Sequence, residues 1–188
     1  EGKITSHGPA GLYKALEKPE VMARSLSQVF LGVRIECAQC HHHPSDKWGQ
    51  DDYYALAGFF TGVSKKGAAG SEAVVSNGGA DLKHPRTGKP IPTHVLGGKE
   101  ITFADRTDRR VALADWMTAA DNPYFARMIV NRLWSHYFGR GLIEPIDDLR
   151  LTNPASNEPL LAALAKHLVT SKYDLKAVAR VILNSRVY

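Results

Sequence analysis

Features that identify several common protein classes are missing from this 188-residue sequence. It has no apolar run approaching about 18 residues, so no segment is expected to cross a membrane. It has no Lys/Arg run long enough to form a nucleic-acid-binding arm, and its net charge of +5 indicates a solvated, mildly basic surface. It also lacks a nucleophile elbow, a zinc-protease motif and a phosphate-binding loop, which removes those enzyme classes. No repeat, low-complexity segment or signal peptide is visible.

Cysteine is scarce, and the two that are present lie together. Cys37 and Cys40 are three positions apart, and His41 follows at once. This C-x-x-C-H spacing is typical of covalent attachment of a c-type haem. If the segment is helical, positions i, i+3 and i+4 share a face, so both thiols can form thioethers with haem vinyl groups while the imidazole binds the iron as proximal ligand. The motif therefore predicts covalent haem c.

Two alternatives use the same residues. A structural zinc site needs a tetrahedral ligand set, which would have to come from residues 37–43 alone or include His84 and His94, whose spacing is unusual for a zinc pair. A disulfide within C-x-x-C is typical of thioredoxin-like sites, but these need a βαβ setting, and none is predicted here. Haem is the favoured interpretation, with zinc and a bare dithiol as its alternatives.

Hydrophobic periodicity predicts a mainly α fold. After a short turn at residues 12–16, a helix is predicted over residues 19–36, delivering the cysteines at or just beyond its C-terminal end. A second helix is predicted over residues 53–63, capped by Asp51 or Asp52. Four further helices are predicted at residues 107–120, 124–138, 159–170 and 174–184. Their predicted cap residues are Thr107 or Asp108, Asn122, Gly139 and Asp174.

Residues 64–106 have a different character, being rich in glycine and proline. Val74-Val75 and residues 91–96 are predicted as short strands joined by a turn at Asn77-Gly78-Gly79. Because a connection of this length is usually functional or a linker, one expected role is to cover a haem edge. The predicted architecture is a helical c-type haem domain, with a haem-attachment region at 1–63, an irregular insert at 64–106 and a C-terminal helical bundle at 107–188 that packs on the haem region.

The sequence resembles the planctomycete cytochrome-type family along nearly its whole length. The residues that carry the resemblance are 30–44, Lys47-Trp48 and 51–54 in the haem-motif region, with Leu113-Ala114-Asp115-Trp116, Asn131-Arg132-Leu133-Trp134 and Gly139-Arg140-Gly141 in the helical domain usually found after it. His84-Pro85-Arg86-Thr87-Gly88 in the insert is similar too. The resemblance implies an exported bacterial protein, periplasmic or extracellular, and it implies that this chain is a fragment or processed product of a longer one. It implies little about activity.

Further candidates for haem contact are Trp48, which lies in the motif region of the resemblance, and Arg34. Guanidinium groups match the carboxylates of haem propionates, and the other arginines considered for this role are Arg109, Arg110, Arg132 and Arg140. Asp147-Asp148 is a weaker candidate, for a cation.

The second axial ligand decides the function, because a strong ligand makes an electron carrier and an open position makes a reactive site. The candidates are Met22, Met117, Met128, His7, His84, His94, His136 and His167. Met22 and Met128 occupy apolar helical positions that suit core packing. His136, within a stretch that carries the resemblance, is the predicted distal ligand.

These observations predict a monohaem c-type cytochrome that transfers single electrons to a redox partner protein, with self-association or further chain segments as other contacts. Two alternatives stay open. One is a haem enzyme with an open or weakly ligated iron that acts on peroxide or on an oxidisable substrate. The other is a structural or binding module stapled by haem or zinc.

Overall fold

The computed structural model describes residues 2–3, 8–68 and 71–188. His7, one of the candidate ligands, lies outside them. The described part of the chain is mainly helical with a few short antiparallel strands, as predicted. It divides into two compact units. The motif unit comprises the described residues within Glu1–Ser25 and Ile35–Asp115, and the helical unit comprises Leu26–Arg34 and Trp116–Tyr188. The sequence-based division at residues 63/64 and 106/107 stays a prediction.

The α-helices are α1 Leu12–Ala15, α2 Pro19–Leu26, α3 Gln50–Ala57, α4 Arg109–Thr118, α5 Phe125–Phe138, α6 Glu158–Thr170 and α7 Leu175–Leu183. The strands are β1 Gly2–Lys3, β2 Val63–Lys66, β3 Ala73–Ser76, β4 Leu82–Lys83 and β5 Pro90–Ile91. Strands β1, β3 and β2 form one antiparallel sheet in that order, and β4 pairs with β5 in a second.

The helix predicted over residues 19–36 is helical only as far as Leu31. Helix α2 ends at Leu26 and continues as one π-helical turn, Ser27–Leu31. Gly32 then takes the left-handed conformation with φ of 66°, which glycine adopts without a steric penalty. The Ser27 hydroxyl donates to the Val33 carbonyl at 2.6 Å and closes the turn. Cys37 therefore lies in a separate 3-10 turn, Glu36–Gln39, and Cys40 is the C-cap residue of that turn.

Helix α3 begins at Gln50, earlier than predicted, and its cap differs from the prediction. Gly49 is the N-cap residue, and Asp52 acts from the third helical position by accepting the Gly49 N–H at 2.8 Å. The helix passes into a 3-10 turn, Gly58–Phe60, before the predicted end at residue 63. Five of the eight residues of α3 are buried: Gln50, Tyr53, Ala55, Leu56 and Ala57.

The insert contains a strand at Val74-Val75, as predicted, but its pairing differs from the prediction. Strand β3 pairs with β2, with Ser64 opposite Val75, and not with residues 91–96. Those residues contribute only Ile91 to a strand, in β5, which pairs with β4. The structure therefore has two antiparallel strand pairs here, β2 with β3 and β4 with β5, where one was expected.

Arg109 fixes the insert within the motif unit. Its guanidinium donates to Asp81 at 2.9 Å, to the Thr93 hydroxyl at 2.8 Å and to the Gly79 carbonyl at 3.0 Å. It also stacks 4.8 Å from the Phe103 ring. Three separate positions of an otherwise irregular segment are thereby held by one buried side chain.

The helical unit is built on a contiguous apolar core. Its buried members are Ala126, Val130, Leu142, Ile143, Leu161, Leu164, Ala165, Leu168, Val178 and Ile182. Two predicted caps are confirmed: Asp174 accepts the Lys176 N–H at 2.8 Å, and Gly139 is left-handed with φ of 72°. The N-cap residue of α5 is Tyr124 rather than the predicted Asn122, although the Asn122 side chain accepts the Phe125 N–H at 2.9 Å. Asp108 likewise accepts the Arg110 N–H at the start of α4.

Asn131 is the fully buried polar residue around which the loop after α5 folds. Its amide nitrogen donates to the carbonyls of Ile143 at 3.0 Å and Ile146 at 3.1 Å, and its oxygen accepts the Ile143 N–H at 2.9 Å. Gly141 fits beside it, since a Cβ there would lie 2.5 Å from the Ile143 carbonyl. This explains in physical terms why asparagine and glycine occur in the two motifs.

Candidate haem-attachment site

The two cysteines and His41 occupy one tight turn on the surface of the motif unit. Both thiols are free and exposed. The N–H groups of Cys40 and His41 each lie 3.4 Å from the Cys37 carbonyl, so the turn closes on Cys37. The backbone from Cys37 to His41 therefore follows a short helical turn. The structure thus places two exposed thiols and an exposed imidazole within one turn.

His41 carries its ring proton on a defined nitrogen. Its Nδ1 lies 2.7 Å from the His42 carbonyl oxygen. A carbonyl can only accept, so Nδ1 must bear the hydrogen, and the neutral ring keeps its lone pair on Nε2. Metal-ligating histidines are commonly oriented in this way, with the second ring nitrogen donating to a backbone carbonyl. The Nε2 of His41 is therefore the ring nitrogen that is left without a contact to the His42 carbonyl.

The turn is held in place by buried side chains and by a hydrogen bond from α3. Ile35 and Ala38, which flank Cys37, are completely buried. The Gln50 amide of α3 donates to the Gln39 carbonyl at 2.8 Å. The exposed thiols thus stand on a buried, hydrogen-bonded support rather than on a free loop.

The segment after the motif folds back through Trp48. The His43 N–H donates to the Trp48 carbonyl at 2.8 Å, and the Trp48 side chain is only 2% exposed. Lys47 places its ammonium 4.8 Å from the centre of the indole ring. Trp48 therefore buttresses the motif loop from within; its predicted contact with haem stays a prediction.

Tyr54 is a residue of the site that the sequence indicated only as one of several aromatic side chains. It lies beside the motif turn: burial raises its pKa, with smaller contributions from Glu20 and Cys40, and a hydrogen bond to Gln39 acts against them. Tyr53 stacks edge-to-face on it at 5.2 Å, and burial raises the pKa of Tyr53 to about 12. Only its position on α3, next to the turn, distinguishes Tyr54 from the core aromatics.

A polar cavity of about 260 Å³ adjoins His41. Its lining residues are His41, His42, Gly49, Gln50, Asp51, Asp52, His84 and Arg86. A neighbouring cavity of about 490 Å³ shares Asp51 and His84 with it and also includes His94. The structure thus brings His84, from the insert, to the side of the motif, which no spacing in the sequence indicated.

Four further predicted site residues lie in the helical unit: Arg34, Asp147, Asp148 and His136. Arg34 forms an ion pair with Asp147, and Asp148 lies 3.8 Å from the same guanidinium. The Gln28 amide donates to Asp147 at 2.7 Å. The acidic pair considered for a cation is thus engaged by protein groups. His136 is exposed on α5, and its ring packs edge-to-face against Tyr137. The predicted roles of Arg34 and His136 toward haem stay predictions.

The donor set can be tested against the groups that the motif implies. Two free thiols and an imidazole are the donor types that the covalent and axial bonds of a c-type haem need, and haem attachment itself stays a prediction. Zinc needs a converging set of ligands. Across residues 2–3, 8–68 and 71–188, no three His, Cys, Asp or Glu side chains converge closely enough to hold a metal ion. A zinc knot on this turn would therefore require the side chains to rearrange.

Comparison with known families gives two matches on separate stretches. Residues 8–65 match the family model PSCyt2, described as a protein of unknown function (DUF1549). Residues 109–188 match PSD1, described as a protein of unknown function (DUF1553). The first name agrees with the resemblance to cytochrome-type proteins, although neither description mentions haem. No curated protein and no solved structure matched the chain.

Within the part of the chain that the structure describes, no helix is long and apolar enough to cross a membrane. This agrees with the prediction from the sequence.

Proposed function

We propose that Cys37 and Cys40 attach a c-type haem through two thioethers, that His41 is its proximal ligand through Nε2, and that the protein transfers single electrons. The observation that carries the proposal is the position of the His41 ring, whose Nδ1 lies 2.7 Å from a backbone carbonyl oxygen and which follows two free and exposed thiols on the same turn. When bound, the haem supplies a one-electron iron couple. The chain supplies its attachment, its orientation and its surroundings.

The residues around the motif have separate tasks in this proposal. Gln50 and the buried Ala38 hold the turn, so the two thiols and the imidazole keep their relative positions. Tyr54 borders Cys40 and would contact the attached group. Trp48 and Arg34 are further proposed contacts. The chain functions, in this proposal, outside the cytoplasm, as the resemblance to exported proteins implies.

His136 is proposed as the distal ligand, and this part of the proposal can fail on its own. If His136 binds the iron, His136→Ala converts a low-spin ferric spectrum to high-spin and opens the iron to carbon monoxide after reduction. Lys166→Ala, at an exposed position of α6 with no predicted ligand role, is the control and leaves the spectrum unchanged. Identical electron paramagnetic resonance spectra for wild type and His136→Ala would remove His136 from this role and leave the attachment site standing.

Attachment itself is tested by expressing the chain, with an export signal, in a bacterium that matures c-type cytochromes. We expect the denatured wild-type chain to retain one haem, seen as added mass and as a pyridine haemochrome spectrum with both vinyl groups saturated. Cys37→Ser and Cys40→Ser should each shift that spectrum toward a single thioether, and the double variant should release its haem on denaturation. A wild-type chain that matures without haem, or that holds stoichiometric zinc instead, would overturn the proposal.

A further inference from the structure

The wall of the cavity that faces the motif belongs to the insert. His84 and Arg86 lie in the loop between β4 and β5, and both line the same cavity as His41. The motif residues predict nothing about this wall, because it lies more than forty positions further along the chain. Its chemistry can nevertheless be derived from its hydrogen bonds.

Backbone hydrogen bonds close the loop that carries His84 and Arg86. The His84 N–H donates to the Lys89 carbonyl at 2.8 Å, and the Gly88 N–H donates back to the His84 carbonyl at 2.9 Å. Gly88 has a φ of 69°, a conformation that glycine adopts readily. Pairing of Lys83 with Pro90 closes the hairpin. Arg86 is thus carried at the tip of a closed turn.

His84 is held in the tautomer opposite to that of His41. Its Nδ1 lies 3.1 Å from the Arg86 backbone nitrogen and 3.4 Å from that of Thr87. Both are N–H donors, so Nδ1 must accept, and the neutral ring carries its hydrogen on Nε2. Of the two histidines on the cavity, His41 therefore offers a lone pair and His84 offers an N–H.

Arg86 differs from the arginines that the sequence suggested for carboxylate binding. Arg34, Arg109 and Arg110 each pair with an aspartate. Arg86 is exposed and forms no ion pair with any residue the structure describes. Its guanidinium is available to a carboxylate from outside the chain, which it can bind through two parallel hydrogen bonds.

Two carboxylates also line the cavity, and they have different tasks. Asp52 accepts the Gly49 N–H and so belongs to the cap of α3. Asp51 is exposed in the first turn of the same helix. An anion bound by His84 and Arg86 would be repelled by both carboxylates, since Asp52 keeps its charge when it accepts the Gly49 N–H, so two groups oppose anion binding and two favour it.

We propose that the Nε2–H of His84 and the guanidinium of Arg86 form a carboxylate-binding wall that receives the propionates of the haem whose iron His41 binds. This inference rests on the proposed function. It assigns to the insert the task of orienting the porphyrin, and it identifies the residues that do so.

The test is equilibrium binding of ferric protoporphyrin IX and of its dimethyl ester to the full chain carrying Cys37→Ser and Cys40→Ser, which prevents covalent attachment. Arg86→Gln should weaken binding of the free acid about tenfold, since it removes a charge-assisted pair. His84→Asn keeps an acceptor for the backbone and removes the Nε2–H, and it should weaken binding of the free acid about threefold. Neither change should affect the ester. Lys83→Gln, an equal loss of charge on the same hairpin, is the control and should leave both affinities unchanged.

Asp51→Asn supplies a test of opposite sign. It should tighten binding of the free acid and leave the ester unchanged, because it removes repulsion between carboxylates. With the cysteines restored and haem attached, Arg86→Gln should also lower the midpoint potential, since loss of a nearby cation stabilises the ferric state.

The outcomes separate this inference from the proposed function. If the wild-type chain attaches haem but Arg86→Gln weakens both porphyrins equally or neither, the carboxylate wall is wrong and the attachment site stands. If the chain without cysteines binds neither porphyrin and the wild type matures without haem, both fail.

Discussion

The motif unit and the helical unit are ordered by different means. In the helical unit, α5 and α6 have 14 and 13 residues and share one apolar core around the amide of Asn131. In the motif unit, α2 and α3 have eight residues each and the strands at most four. Its insert is held by Arg109 instead. The chemistry-bearing residues thus lie where the hydrogen bonds of a buried guanidinium, rather than helix packing, hold the insert.

The comparison is tested most severely by Asn131→Ala. The substitution leaves the Ile143 N–H and two carbonyls without partners inside the helical unit, and each buried orphan costs about 1–3 kcal/mol. We expect a loss of about 3–5 kcal/mol in the free energy of unfolding. Urea unfolding followed by circular dichroism measures it, with hydrogen exchange to locate the loosened segment.

Asn184 offers a matched control for that substitution. It is exposed and makes one hydrogen bond, to the Arg180 carbonyl at 2.8 Å. Asn184→Ala should cost less than about 1 kcal/mol. Equal effects at the two positions would show that the buried amide does not organise the loop.

The corresponding substitution in the motif unit is Arg109→Lys. It keeps the charge but removes the fork that serves Asp81, Thr93 and Gly79 together. We expect a loss of about 2–3 kcal/mol, smaller than at Asn131 because Asp81 stays partly solvated, at 37% exposure. Amide exchange in residues 79–93 should accelerate.

Arg106→Lys is the control for this change. Its side chain is 89% exposed, so stability should change by less than about 0.5 kcal/mol. If Arg109→Lys is equally mild, the insert is held by its hairpins and not by the guanidinium.

The helical unit could largely be predicted from the sequence, because periodicity and capping act locally. Asn122, Gly139 and Asp174 each mark a helix boundary through a bond to backbone a few residues away. Nothing distant has to be known to identify them. Periodicity and capping could not predict that Asn131 holds the loop after α5, because its hydrogen-bond partners lie twelve and fifteen positions further along the chain.

The motif unit was harder to predict for the same reason. Gly32 did carry a local signal for the end of the helix, but the apolar periodicity running past it obscured that signal. The Arg109 bonds span 16 to 30 positions, and the approach of His84 to His41 spans more than forty. The C-x-x-C-H spacing indicated the residues proposed for haem attachment, whereas the cavity beside them depends on how the insert folds back.

The smallest expected effect concerns two ion pairs, Arg34–Asp147 in the helical unit and Arg24–Glu36 in the motif unit. In the helical unit, burial alone would raise the pKa of Asp147, but hydrogen bonds from Arg34 and Gln28 outweigh it, so the pKa lies below its usual range. A carboxylate with a lowered folded-state pKa contributes stability above its unfolded pKa, about 4, and that contribution is lost as the pH falls through the folded value. Asp147→Asn should therefore cost about 1 kcal/mol at pH 7 and progressively less in acid.

In the motif unit, Glu36 pairs with Arg24, but its side chain is 66% exposed. Glu36→Gln should cost less than about 0.5 kcal/mol at any pH, because exposed pairs are screened by water. The measurement is urea unfolding of both variants and wild type between pH 3 and 7. A larger pH-dependent loss of stability for Glu36→Gln than for Asp147→Asn would contradict the comparison. It would mean that the motif unit depends on its Arg24–Glu36 pair more than the helical unit depends on its Arg34–Asp147 pair.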